Sequence, residues 1–253
     1  MERFSDRVAL ITGGSRGIGF AIARRLVAEG ASVVITGRRQ ESLDAAVAAL
    51  GERASAVAGK ADDPAHRAVA FAHVAERHGR LDHLVNNAGI NPAFGPLLQI
   101  DTAIAHKILA VNVLATLEWT RDAVAAGLAR SVVNLSSVSG LSASPNIAFY
   151  GISKAAIINL TMQLADELAP GLRVNAVAPG VALPSKHQSR ENFDRSQAAA
   201  PLGYGATPAD VAQAVAYLVG ARAVTGETII VDGGQHLSPT SRDVMFEVER
   251  GEK

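Results

Sequence analysis

The chain has 253 residues, of which 48% are apolar and 19% charged, a composition for one sizeable globular core and not for a disordered polymer. Lys plus Arg is 24 and Asp plus Glu is 24, so the formal net charge is zero, and nothing in the bulk charge draws the protein to nucleic acid or an acidic membrane. There is no cysteine, which excludes disulfides, thiolate catalysis and zinc–sulfur sites.

The opening MERFSDRVAL carries charges where a signal peptide needs an apolar core, and no later run approaches about 18 uninterrupted apolar residues. A cytoplasmic protein with no membrane partner is the expectation. Along the chain, short β-rich runs alternate with longer alanine-rich stretches. Strands are predicted over 7–12, 32–36, 54–58, 82–86, 131–136, 173–178 and 228–231. Helices are predicted over 17–29, 40–50, 64–78, roughly 101–126, 153–168 and 208–218. In the first helix Ile18, Ala21, Ile22, Leu26 and Val27 recur at helical spacing and form one buried stripe. The continuous apolar runs VVIT and LVNNAG suit strands buried on both faces.

This rhythm predicts an α/β fold: a single-domain, doubly wound, Rossmann-type parallel sheet of about seven strands with helices on both faces. The domain spans 1–237, and residues 238–253 read as a polar C-terminal tail.

The stretch ALITGGSRGIGFAIARRL follows the first strand and opens the first helix. Gly13, Gly17 and Gly19 form Thr-Gly-x-x-x-Gly-x-Gly, so Gly13, Gly14, Ser15, Arg16, Gly17, Ile18 and Gly19 are assigned to a pyrophosphate at the helix N-terminus. The same residues also fit Gly-x-Ser-x-Gly, the nucleophile elbow of α/β-hydrolases, with His236 late enough to serve as base. Such an elbow follows several strands, however, and here only one precedes it.

The second strand ends Val33-Val34-Ile35-Thr36-Gly37-Arg38-Arg39. An acid at this point would hold ribose hydroxyls and select NAD. Arginines stand there instead, and a guanidinium makes charge-assisted, bidentate bonds to phosphate. Arg38, with Arg16, therefore points to a 2′-phosphate and to NADP(H).

Further signals follow at later strand ends: Asn86-Asn87-Ala88-Gly89, Asn112 within a helix, Asn134-Leu135-Ser136-Ser137, FYGISK at 149–154 and Pro179-Gly180. Together with TGGSRGIG they resemble the short-chain dehydrogenase/reductase family over roughly residues 5–237, with Ser137 thirteen positions before Tyr150 as is usual in that family. The tail PLGYGATPADVAQAVAYLV…TGETIIVDGG resembles that of 3-oxoacyl-(acyl-carrier-protein) reductases.

The resemblance implies an oxidoreductase that reduces a ketone, possibly as a 3-oxoacyl thioester, or an alcohol dehydrogenase working in the oxidising direction. It implies Tyr150 as acid/base, Lys154 as the group that tunes the phenol and holds the nicotinamide ribose, Ser137 as the hydroxyl on the carbonyl, and Asn112 as support for a water leading to Lys154. Asn87, Ala88 and Gly89 would pass along the adenosine side, and Tyr150, Lys154, Pro179 and Gly180 along the nicotinamide side. Elementary chemistry agrees for the pair: a phenol titrates near about 10, and a cation one helical turn away favours its charged form. The serine before Ser137, Ser136, reads as structural by strand alternation.

Two positions depart from the family pattern. The usual adenine Asp falls on Lys60, leaving Asp62 to take that contact, and Pro184 stands near the usual carboxamide Thr, leaving the backbone around Ala182. His66, His73, His78 and His83 read as solvated rather than as a metal site, and no metal is expected. The 181–202 segment reads as a variable loop over the substrate site. An acyl-carrier partner would want basic docking residues, for which Arg121, Arg130 and Lys186 are the candidates. Family members commonly form homotetramers through their long fourth and fifth helices, and the same is expected here.

Overall fold

A computed structural model describes residues 2–185 and 188–238. Seven strands, β1 (Val8–Ile11), β2 (Ser32–Gly37), β3 (Ala54–Ala58), β4 (His83–Asn86), β5 (Ser131–Leu135), β6 (Arg173–Pro179) and β7 (Thr228–Val231), form one sheet in the order β3-β2-β1-β4-β5-β6-β7. Every adjacent pair is parallel. The order reverses between β1 and β4, and the crevice outside the carboxyl ends of those two strands is where such a sheet accepts a ligand.

Alternation along the strands supplies two cores. Ile11, Ile35, Val133 and Val177 face helices α1 (Gly17–Ala28), α2 (Gln40–Leu50) and α8 (Pro208–Gly220). Their neighbours Leu10, Val34, Val132 and Val174 face α3 (Pro64–His78), α5 (Ala115–Ala125) and α6 (Ala148–Glu167).

Three elements differ from the sequence expectation. The helix predicted over 101–126 is α4 (Thr102–Leu109), a π turn (Ala110–Leu114) and then α5. The π turn buries Asn112, a polar residue that a uniform amphipathic pattern would leave outside. Helix α6 begins at Ala148 and not at 153, because Ser153, which resembles a start signal, bonds backward into the helix: its hydroxyl donates to the Tyr150 carbonyl at 2.7 Å. The predicted 181–202 loop contains α7 (Arg190–Ala198), capped by Ser189, whose hydroxyl accepts from Asn192 N at 3.1 Å. Its sequence RENFDRSQA has no apolar stripe to betray it. The tail beyond Ser238, with Lys186 and His187, lies outside the described residues.

The histidines are also not the solvated set anticipated. His66 and His83 are buried, and burial pushes both below the usual imidazole value, His83 to about 4. His73 Nε2 pairs with Ser55 Oγ at 2.9 Å and His83 Nδ1 with Ser131 Oγ at 2.8 Å. Each therefore belongs to packing between strand and helix or strand and strand. No group of three metal-ligating side chains converges among the described residues.

The amino edge of the sheet is closed by Asp82, whose side chain is fully buried. Its carboxylate accepts from Val8 N at 3.0 Å, from Arg80 at 2.6 and 2.9 Å, from Arg130 at 3.1 Å and from Arg7 at 3.3 Å. Burial alone would raise its pKa; the Arg80 guanidinium and the Val8 N–H outweigh that and hold the carboxyl below its ordinary value. Its contribution to stability is thus complete above about pH 4 and is lost as the pH falls through the depressed folded value. Asp82→Asn leaves the guanidiniums uncompensated, and urea unfolding at pH 7 should show a loss of about 2–4 kcal/mol.

Candidate active site

The turn between β1 and α1 is compressed against its surroundings. Gly13 has φ +68°, and a β-carbon on Gly19 would lie 2.4 Å from the Gly13 carbonyl oxygen and 2.5 Å from Asn87 Nδ2. Helix α1 starts with no side-chain cap and no acid in its first turn, so its leading N–H groups have no built-in anion. Thr12 sews the strand to the segment after β4: its hydroxyl oxygen accepts from Asn87 N and Ala88 N, both at 3.0 Å. Asn87 Nδ2 returns bonds to the carbonyls of Thr12 at 2.8 Å and Gly13 at 3.1 Å. The two glycine-bearing segments of the crevice thus form one unit.

At the carboxyl end of β5 the chain turns back onto the start of α6. A β-carbon on Gly151 would stand 2.6 Å from the Ser139 carbonyl oxygen, so the close approach requires a glycine there. Ser136 Oγ donates to the Lys154 carbonyl at 2.7 Å, and Lys154 Nζ donates to the Leu135 carbonyl at 2.7 Å. Lys154 is only 4% exposed, and desolvation pulls its ammonium down to about 8. Its Nζ lies 5.5 Å from the centre of the Tyr150 ring. Ser137 Oγ accepts from Ser139 N at 3.2 Å and points toward the Pro179 carbonyl at 3.5 Å.

The π turn brings in a further arm. Asn112 Nδ2 donates to the Ile90 carbonyl and to Ser153 Oγ, each at 3.0 Å, while its Oδ1 accepts from Ile90 N at 2.8 Å. A β-carbon on Gly89 would lie 3.4 Å from Lys154 Nζ and 3.5 Å from Asn112 Oδ1, so lysine, asparagine and the 87–89 segment meet at one point.

A cleft of about 740 Å³ opens over these groups. Ser137, Tyr150 and Lys154 line it together with Ile18, Asn87, Gly89, Pro179, Gly180 and Ala182. Ile90, Phe94, Ile147 and Leu183 add apolar surface to the lining. Gln235 completes it by accepting from Val181 N at 3.2 Å. Gln235 takes part in the site although no sequence pattern singles it out, and Ser153, read in the sequence only as part of FYGISK, joins it through Asn112.

Other anticipated residues lie outside the cleft. Arg16, Arg38 and Arg39 are exposed at the β1 and β2 ends and make no ion pair among the described residues. Ser15 Oγ lies beside Gly37, at the end of β2. Asp62 follows β3, and its carboxylate is held by the Lys107 ammonium, which, with burial opposing, keeps it ionised below the usual range. Arg130 is committed to Asp82 at the amino edge, far from the cleft, and does not contribute to a docking patch at its mouth. His236 pairs with Asp232 at 2.7 Å after β7, and neither His236 nor Ser15 lines the cleft. No contact joins His236 to Ser15 among the described residues, and the hydrolase triad is not assembled.

The geometry fits a dinucleotide: an uncapped helix N-terminus behind a glycine turn, and arginines at the end of β2 that make no ion pair among the described residues. A family model described as enoyl-(acyl carrier protein) reductase matches residues 13–236. Dehydrogenase/reductase SDR family member 4 from Pongo abelii is 40% identical over 92% of this chain and 88% of its own. A short-chain dehydrogenase/reductase from Mycobacterium ulcerans superposes with a TM-score of 0.86 at 33% identity, covering 92% of this chain and 91% of that one. A 3-ketoacyl-(acyl-carrier-protein) reductase from Brucella melitensis, complexed with NADH, gives 0.83 at 30% identity, covering 92% and 99%. With the sheet order, the glycine turn and the serine–tyrosine–lysine cleft agreeing, the chain belongs to the short-chain dehydrogenase/reductase family.

Proposed function

We propose that this oxidoreductase is an NADPH-dependent carbonyl reductase that converts a ketone to a secondary alcohol, with Tyr150 as the acid. The observation that carries this reading is the convergence of Tyr150, Lys154 and Ser137 on one cleft beside the glycine turn. The reduced dinucleotide, when bound, supplies the hydride to the carbonyl carbon. Tyr150 donates its phenolic proton to the carbonyl oxygen as negative charge develops there. Ser137 donates a hydrogen bond to that same oxygen, an arrangement most useful in the transition state. The Lys154 ammonium favours the phenolate that remains, and Asn112 holds the segments around it so that a proton returns from solvent.

The phosphate half of the cofactor falls to Gly13, Gly14, Ser15, Gly17, Ile18 and Gly19, and the 2′-phosphate to Arg38 with Arg16. Asp62 takes the adenine side, Asn87, Ala88 and Gly89 pass along the middle, and Pro179, Gly180 and Ala182 hold the nicotinamide side. The apolar surface of Phe94, Ile147 and Leu183 favours an uncharged carbonyl substrate. A 3-oxoacyl thioester is one such substrate, in keeping with the chain's similarity to the 3-ketoacyl-(acyl-carrier-protein) reductase of Brucella melitensis. A homotetramer belongs to this reading, supported by the exposed Leu114, Leu117, Val124, Ile152 and Met162 along α5 and α6.

NADPH oxidation across acetoacetyl thioesters, diketones, quinones and pterins tests the reading. Tyr150→Phe should lower kcat/KM by roughly a thousandfold while NADPH affinity stays within about threefold. Undiminished turnover in that variant would end the assignment. Arg38→Ala should lower kcat/KM for NADPH by about tenfold and change that for NADH by less than about twofold; equal losses would exclude phosphate recognition.

Lys154 gives a pH signature in the cofactor-free protein. Its charged form is the penalised one, so the wild type bears the cost below about pH 8 and sheds it as the pH rises toward the ordinary lysine value. The stability of Lys154→Met relative to wild type should therefore fall by about 2 kcal/mol between pH 8 and pH 10. Chemical denaturation at the two pH values measures this, and a constant difference contradicts it.

A further inference from the structure

Three independent fastenings meet the short segment that follows β3. Trp119, 1% exposed and the largest fully buried side chain, donates from Nε1 to the Ala61 carbonyl at 2.9 Å. Lys107 on α4 holds the Asp62 carboxylate from above. Gly59 N donates to the Gly37 carbonyl at 2.8 Å, which sets the segment beside the end of β2, where Arg38 stands. The start of α3 is bound to the same long helix: Arg67 pairs with Glu118 and with Asp122, each at 2.7 Å, and the His66 and Phe71 rings pack on Trp119. The segment thus takes its position from α4 and α5, the helices on either side of the π turn that carries Asn112.

We propose that Lys107 and Trp119 are positioning residues for the adenine end of the dinucleotide, holding the 59–63 segment as one wall of its seat. The inference rests on the dinucleotide reading above. The Lys107–Asp62 pair is half exposed and adds little to stability, as surface pairs do. Its effect is orientation: it fixes where the carboxylate stands and keeps it ionised. Trp119 does the same for the backbone, since the Ala61 carbonyl is tied to a ring that packing allows no other place. Neither residue touches the cleft that holds Tyr150. Their loss is therefore felt in affinity for the adenosine half and not in the chemical step.

Fluorescence titration with NADPH, with adenosine 2′,5′-bisphosphate and with reduced nicotinamide mononucleotide separates the two ends. Lys107→Met is the first variant because the site is exposed and tolerates it, and Trp119→Phe keeps a ring while removing the donor. Both should weaken NADPH and the bisphosphate by roughly fivefold to tenfold, the scale of one lost hydrogen bond. Affinity for the mononucleotide and kcat at saturating NADPH should stay within about twofold, and Lys107→Arg should restore most of the loss. Wild-type affinity in Lys107→Met, or equal weakening of both halves, overturns the inference while leaving the dinucleotide reading intact. A wild-type protein that binds none of the three probes overturns both.

Discussion

The ammonium of Lys154 sits out of water and donates to the Leu135 carbonyl, and the Ser136 hydroxyl donates to the carbonyl of the same lysine. These two reciprocal bonds lock the second turn of α6 to the end of β5. Almost everything at the cleft follows from that lock. It fixes how far Tyr150 stands from the lysine, and it sets Ser137, the next residue of the strand end, against the same opening. Below it, a buried polar ladder repeats the attachment. Asn134 Nδ2 donates to Thr161 on α6 at 3.0 Å, and Asn86 Nδ2 donates to Asn134 Oδ1 at 3.0 Å and to Thr120 on α5 at 3.1 Å. Such a ladder costs desolvation and gives little net stability, but it admits only one register of helix on sheet.

The sheet divides labour between its two edges. At the carboxyl edge, donors and a cleft are left available: α1 has no side-chain cap, and Arg38 makes no ion pair among the described residues. At the amino edge, Asp82 is saturated by one N–H and by three arginines, leaving nothing to offer a ligand. The zero net charge of the chain conceals this arrangement. It is a sum over one edge where a carboxylate is held among three guanidiniums and another where Arg38 makes no ion pair among the described residues.

Much of this was legible beforehand, for identifiable reasons. The strands could be read because a parallel sheet buried on both faces demands unbroken apolar runs such as VVIT. The glycine turn and the Tyr150–Lys154 pair could be read because their chemistry needs particular residue types at fixed spacing. What escaped depends on contacts between distant segments. Nothing local announces the π turn that carries Asn112 inward, a residue the family resemblance names without its contacts, since its partner is the backbone of Ile90, 22 residues away. Ser153 carries the signal of a helix start yet lies inside α6, because the real start is set by packing around Ile147. Helix α7 lacks an apolar stripe, and of the histidines expected in solvent His66 and His83 are buried, His83 beside Ser131 and His66 against Trp119.

The π turn at 110–114 carries a consequence for how this chain can vary. One residue more than a regular helix would use is stored there, and each residue of an α-helix rotates its successors by about 100°. Because the wide turn absorbs that residue, deleting it would restore even winding and leave α4 and α5 in phase, with Lys107 still facing Asp62. What would go is the inward bulge that presents Asn112 to the Ile90 backbone. The extra residue thus serves the asparagine alone, and its removal would separate that contact from the lysine fastening.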